Sequence, residues 1–426
     1  LPRMPRRVVH ALCVTAATAS ASLDETALDR VYFSLLHLGQ ALSELDLEEP
    51  LQLLIATQRA YDVAGTLTEQ PLHALAQGPA LVMPRELPEV HTRLLDLADT
   101  SDAEAVAREL IAELCSPGAE RVVARRAGAR YVQVIARCEL PPPAASLPEQ
   151  PVFLFTGGLG EIARSLAAHF AQLSGARIAL LARTALPARR VWPELARGGA
   201  DAQSKLLGEL LALEARGVAL TILRADVANA PQLKAAVAHA REQLGRIDVV
   251  IHAAGTIDDA PLAHKTRAAA RRVLAPKLEG AHNLLEALAD QPPKALLLIG
   301  STSAVLGPPG QIDYVAANAY LAALARACRS QLPGTQVSAL GFGMWRDLGM
   351  AARTQRPAAA HRDHASPHPL LARRREAGQG QLELETSLSA EQLWVLSEHR
   401  VRGGSSVLPG TAILEIVRAA AQLALA

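Results

Sequence analysis

The chain has 426 residues, half of them apolar and a fifth charged, with a formal net charge of +1. That length accommodates two or three domains with cores of their own, and so even a charge balance gives no electrostatic case for nucleic acid or an anionic membrane as a partner. No apolar run approaches the ~20 residues of a membrane-spanning helix, and the opening "LPRMPRRVV" lacks the apolar segment of a signal peptide.

From residue 8 to about 140, short apolar runs ("VVHALCV", "LQLLIAT", "YVQVIARC") alternate with helical stretches ("RVYFSLLHLGQAL", "AEAVARELIAEL"). This is an α/β layout. It has no glycine-rich turn between strand and helix, so no nucleotide is expected there. A connector, "LPPPAASLPEQP", reads as a domain boundary. The second unit opens as strand, glycine turn, helix, strand ("VFLFTGGLGEIARSLAAHFAQLSGARIALLAR") and continues through the strand candidates "ALTILRADV", "IDVVIHAAG", "KALLLIGSTS" and "QVSALGFGMW". Strands alternating with helices imply a parallel, doubly wound sheet with its chemistry at the strands' carboxyl ends.

After residue 351 the sequence turns irregular. His361, His364 and His368 lie there among Pro, Ala and Arg, and this reads as a solvated linker rather than a metal site. A third unit starts beyond it. The four cysteines, Cys13, Cys115, Cys138 and Cys328, are scattered without a CxxC pair, the usage of reduced core thiols in a cytoplasmic protein. The chain begins without methionine and stops in the helix-like "TAILEIVRAAAQLALA", so both ends read as cuts in a larger polypeptide.

"TGGLGEIA", Thr156 to Ala163, has the strand-before, helix-after context that a dinucleotide motif needs. Gly157 and Gly158 can take backbone angles closed to other residues, and Gly160 lets a pyrophosphate approach the helix terminus that Ile162 helps to form. Ala163 stands where a third glycine is usual. The next strand ends on Arg183 rather than an acidic residue, which favours a 2′-phosphate and so NADPH; a solvated surface arginine is the alternative. Asp226, with Val227 in "RADVAN", is placed to accept from an adenine amine or to cap a helix. "HAAG" offers Ala253, Ala254 and Gly255 as a small-residue turn for the nicotinamide riboside.

Ser301 ends a strand thirteen residues before Tyr314, and Asn318 follows Tyr314 by one helical turn. Both hydroxyls could hold a carbonyl oxygen, Ser301 by hydrogen bonding and Tyr314 by delivering a proton. A capping serine and a half-buried aromatic are the plain alternatives. A tyrosine acid calls for a cation that lowers its pKa from ~10. Lys277, on the helix before the serine strand, is the candidate, although alone it would read as surface decoration.

"TGGLG", "HAAGTIDDAPL", "APKLEG", "GSTSAVLGPPGQIDYVAANAYLAALA" and "GFGMWRDLGMAA", in that order, strongly resemble the ketoreductase domain of modular polyketide synthases, members of the short-chain dehydrogenase/reductase superfamily. In that family the lysine and asparagine positions are exchanged relative to Tyr-x-x-x-Lys, and Lys277, Ser301, Tyr314 and Asn318 match its catalytic set. "PLHALAQGPALVMPRELPEVHTRLLDLA" resembles the family's structural subdomain. A Leu-Asp-Asp triplet marks B-type domains, which set a D-configured β-hydroxyl; here it is Ile257, Asp258 and Asp259, with Leu306 where A-type domains carry tryptophan. The domain usually continues into a lid helix, a further helix and a last strand; here the linker begins almost at once, so either the lid is shortened or the region is trimmed.

The tail resembles the start of a polyketide dehydratase, with His399 at its catalytic base and Gly403 and Pro409 at its glycine and proline. Its acidic partner would lie in the missing half, so the fragment is expected to be inactive alone.

The resemblance implies two Rossmann-like doubly wound sheets, a truncated structural subdomain (1–146) and an NADPH-binding catalytic subdomain (147–355), then a linker (356–367) and a partial hot-dog segment (368–426). It further implies reduction of a β-ketoacyl chain carried on phosphopantetheine by an acyl carrier protein, beside neighbouring synthase domains. An inactive scaffold domain is the competing reading.

Overall fold

The computed structural model describes residues 5–14, 23–65, 70–98, 101–138, 147–173, 175–199, 201–343, 345, 364–365, 373–377, 381–385 and 415–418. The chain divides into two units, 1–352 and 353–426.

The first strand of the N-terminal sheet, β1 (Arg7–His10), pairs parallel to β2 (Leu51–Gln58), β2 to β3 (Val90–Leu97) and β3 to β4 (Val122–Arg126); β5 (Ala129–Val132) returns antiparallel. Alternating strand side chains feed two cores: Leu53, Ile55 and Leu94 on one face, Leu54, Leu95 and Val123 on the other with Val106 of the helix Ala103–Leu114. Asp102 caps that helix by accepting from Glu104 and Ala105 N–H groups. The expected helix over "RVYFSLLHLGQAL" begins earlier, at Glu25, and passes through a π turn at Asp29–Phe33. "YVQVIARC" is strand only at its start. Val134 and Ile135 are 75 % and 78 % exposed, because β5 has β4 on one side and its continuation has no apolar face to bury. Cys13 and Cys328 are buried, but Cys115 and Cys138 lie at the surface, so only two of the four are core thiols.

The second sheet is β6 (Val152–Thr156), β7 (Arg177–Ala182), β8 (Ala219–Arg224), β9 (Val249–His252), β10 (Ala295–Ser301) and β11 (Gln336–Phe342), all parallel, in the order β8-β7-β6-β9-β10-β11. β6 and β9 are buried along their whole length, as continuous apolar runs covered on both faces should be. Phe153, Phe155 and Ile178 pack toward the helices Glu161–Phe170 and Ala202–Ala215; Leu154, Val250 and Leu298 pack the opposite way, toward Ala230–Leu244 and Ile312–Gln331. That second core is continuous with the N-terminal one. The order in which strands are added reverses between the parallel neighbours β6 and β9, with Thr156 opposite His252, so the crevice at this switch point opens above those two residues.

In the second unit, β12 (His364–Ala365), β13 (Arg373–Ala377) and β14 (Gln381–Glu385) form an antiparallel sheet. His364 is thus a strand residue rather than irregular linker. His361, His368, His399, Gly403, Pro409 and the lid region after residue 345 lie outside the described residues.

Candidate active site

The glycine turn is fixed by contacts that leave no room for side chains. Gly157 has φ +64°, and a Cβ on it would lie 2.8 Å from the Ala253 oxygen and the Ala254 backbone. Gly158 is pressed on the opposite side against Leu180, where a Cβ would come within 2.8 Å of its Cα. Gly160 caps the helix Glu161–Phe170 in extended geometry, and its carbonyl accepts from the Arg164 N–H at 2.9 Å. Ala163 is buried, with its methyl in the helix–sheet core. The first helical turn, with Ile162, therefore begins over a cradle that side chains are excluded from, with the positive end of the helix dipole toward it, a fit for a dinucleotide pyrophosphate.

Arg183, Asp226, Ile257 and Asp258 line one cavity of about 510 Å³ with Thr256 and Pro276. Asp226 does not cap the following helix; Asn229 does, and Asp226 accepts from the Ala228 N–H at 3.0 Å. Val227 turns away and fills the space beside Gly280, where a Cβ would meet it at 2.7 Å. Asp258 pairs with Arg272 at 2.8 Å, and Asp259 accepts from the Gln311 side chain at 3.0 Å. Gly255 continues the turn after β9 beside Ala254, which is 7 % exposed.

Under this crevice Thr156 Oγ1 and His252 Nδ1 are 2.7 Å apart. Burial first, and then Lys277, hold the imidazole pKa down to about 3, against a smaller upward effect of the Pro276 backbone. His252 is thus a neutral hydrogen-bonding post.

Lys277 sits in the turn between the helices Arg267–Leu274 and Glu279–Leu288, not on a helix as expected. It is 4 % exposed and donates to the Ile299 carbonyl at 2.9 Å, with its pKa lowered to about 8 by burial. Two residues on, Ser301 ends β10; its Oγ accepts from the Ser303 N–H and lies 3.1 Å from Ser303 Oγ. Tyr314 and Asn318 stand one turn apart on the helix Ile312–Gln331, and Asn318 Nδ2 donates to the Tyr314 carbonyl at 2.7 Å. The buried Asn318 Oδ1 has no hydrogen-bond partner among the described residues and lies beside Gly300.

The tyrosine pKa runs against expectation. Burial pushes it up, and hydrogen bonds with Ser301 and Asn318 offset this only in part; Lys277 is not among the causes. With its pKa raised, Tyr314 remains a protonated phenol.

The N-terminal domain supports this geometry in ways the motifs do not encode. Gln77 Nε2 donates to the Ala304 carbonyl at 2.6 Å, and Glu86 accepts from the backbone of both Leu262 and Gly310, at 2.6 and 2.7 Å. Their only sequence signal was the family resemblance of the stretch that contains them.

A six-stranded parallel sheet with a glycine cradle at its switch point defines a short-chain dehydrogenase/reductase-like fold. Residues 151–347 match the family described as "KR domain", and residues 368–426 the one described as "Polyketide synthase dehydratase domain". The chain is 34% identical over 343 residues to a phenolphthiocerol/phthiocerol polyketide synthase polypeptide of Mycobacterium tuberculosis, covering 79% of this chain and 18% of that protein. It is 32% identical to 6-methylsalicylic acid synthase of Aspergillus terreus, covering 72% and 17%. It therefore spans less than a fifth of these relatives' length. The solved structure "Structure of A-type Ketoreductases from Modular Polyketide Synthase" is 30% identical with a TM-score of 0.66, covering 81% of this chain and 69% of that one. A ketoreductase from the macrolactin assembly line shares the fold, with a TM-score of 0.65 at 20% identity. The chain belongs to the polyketide synthase family, as a ketoreductase domain followed by the first part of a dehydratase domain.

Proposed function

We propose that this chain reduces the β-ketone of an acyl chain held as a thioester on the phosphopantetheine of an acyl carrier protein, using NADPH. The observation that carries this reading is the meeting of Ser301, Tyr314 and Asn318 at the carboxyl end of β10, over the buried Lys277. Gly157, Gly160 and the first turn of the helix Glu161–Phe170, with Ile162, hold the pyrophosphate, and Thr156 supports the turn from beneath through His252; Ala253, Ala254 and Gly255 border the nicotinamide riboside. Arg183 takes the 2′-phosphate and Asp226 the adenine amine. When bound, the reduced nicotinamide supplies a hydride to the β-carbon.

The chain's own residues do the rest. Ser301 is oriented by the Ser303 N–H and turns its proton from Ser303 Oγ toward the ketone oxygen, polarising it. Tyr314, kept protonated by burial, gives its proton to that oxygen as charge develops. Lys277 uses one ammonium proton on the Ile299 carbonyl and keeps others from which the tyrosine can be reprotonated, while the Asn318 Oδ1 offers an acceptor along that path.

Ile257, Asp258 and Asp259 border the substrate side, and the triplet favours a D-configured, B-type product; the 30% identical structure bears the A-type name. The segment 368–426, with His399, is read as the first part of a dehydratase. Calorimetric titration with NADPH, followed by chiral analysis of the β-hydroxyacyl product, tests the reading. Tight binding and a D product are expected. No cofactor binding would leave a scaffold domain, and an L product would remove the B-type assignment.

A further inference from the structure

A buried ion pair outside the four catalytic candidates touches both edges of the substrate site. Lys265 and Asp313 are 2 % and 1 % exposed, and Lys265 Nζ lies 3.0 Å from Asp313 Oδ2. Asp313 precedes Tyr314, and its other oxygen accepts from the Tyr314 N–H at 2.8 Å. The same ammonium donates to the carbonyl of Asp258. One cation thus joins the Ile257–Asp259 loop to the first turn of the helix that carries Tyr314.

Stability alone does not account for this arrangement. Removing two charges from water costs roughly as much as their attraction returns, and a packed apolar pair would hold the fold equally well. An apolar pair could not donate to a loop carbonyl. The neighbouring tethers hold other points: Gln40 Nε2 donates to the carbonyls of Leu262 and Lys265, Glu86 takes the N–H groups of Leu262 and Gly310, and the Ala260 N–H donates to Gly310. At Asp258 the main chain is held by Lys265, while its side chain reaches outward to Arg272. Tyr32, whose buried hydroxyl lacks a hydrogen-bond partner, faces the same carboxylate from the N-terminal domain.

We propose that Lys265 is a positioning residue for stereochemistry: by donating to the Asp258 carbonyl, with Asp313 as the counter-charge that makes its burial tolerable, it fixes the loop's height over Tyr314 and so selects which face of the ketone is reduced. The inference rests on the reductase reading above.

Three variants separate this from a structural role. Lys265→Met leaves a buried carboxylate without its counter-charge and loses both stability and turnover. Lys265→Met with Asp313→Asn removes both charges, so the melting temperature returns close to wild type, yet the ratio of major to minor enantiomer falls about tenfold, the worth of one buried hydrogen bond. Asp313→Asn alone keeps the lysine on Asp258 and keeps the wild-type ratio. Hydrogen–deuterium exchange over 257–261, faster in the double variant than in the wild type, reads the tether without turnover. A double variant with wild-type stereochemistry and exchange overturns the proposal, as does equal erosion in Asp313→Asn. A wild type that reduces no β-ketoacyl thioester sinks the reductase reading, and exchange then decides whether Lys265 holds the loop.

Discussion

A Cβ placed on Gly78 would lie 2.2 Å from the carbonyl oxygen of Ile312, the first residue of the helix that carries Tyr314 and Asn318. The same atom would lie 2.7 Å from the Ala316 Cβ, so the two domains meet here at backbone contact. Gly78→Ala must shift one helix against the other. A loss of about 1–3 kcal/mol in stability is expected, together with a drop in turnover, because small displacements of a proton donor are costly. Gly208→Ala, where nothing lies within 4 Å, is the matched control. It should stabilise slightly, by up to ~1 kcal/mol. Thermal melts and initial rates on both variants check this; equal behaviour would contradict the contact.

Burial of Lys277 predicts a trade between stability and function. Its pKa is lowered to about 8, whereas an unfolded lysine titrates near ~10.4. Between those values the unfolded chain holds more protons, so the folded state gains stability as pH rises through that window, and the full cost of the buried cation is present below it. Lys277→Met should therefore be more stable than wild type at neutral pH, on the order of 2 kcal/mol after the lost bond to Ile299 is allowed for. The advantage should shrink toward pH ~10, where the wild-type lysine is neutral, while turnover stays low throughout. Urea denaturation at both pH values measures it. A pH-independent difference would show that the lysine is not a buried cation.

Cofactor choice is assigned to Arg183, exposed at the end of β7 and lining the cavity with Asp226. Arg183→Ala should weaken NADPH binding by about ten- to a hundredfold through loss of a charge-assisted contact, with little change for NADH. Fluorescence titration with both cofactors reads the ratio, and equal weakening of both would place the arginine elsewhere on the nucleotide.

Much of the catalytic sheet is legible in the sequence because its strands are continuous apolar runs and its turn is punctuated by glycines. "VFLFT" becomes β6 and "TGGLG" the cradle. The edge is less legible: "YVQVIARC" has strand composition, but strand formation depends on a neighbour and a face to bury, and after Gln133, whose N–H still reaches Val122, Val134 and Ile135 stand exposed. Burial also escapes local pattern. Lys277 and Lys265 look alike as sequence, two surface-type residues, and both are buried by packing between segments distant in the chain. The rise in the Tyr314 pKa has the same origin, since desolvation depends on everything around the hydroxyl.

The most direct measurement is loss of NADPH absorbance with a β-ketoacyl thioester, for the wild type and Tyr314→Phe at matched cofactor occupancy. Turnover in the wild type, falling by about 10²–10⁴ in the variant with NADPH affinity unchanged, is the predicted result. A variant that reduces the thioester as fast as the wild type would contradict the assignment of Tyr314 as the proton donor.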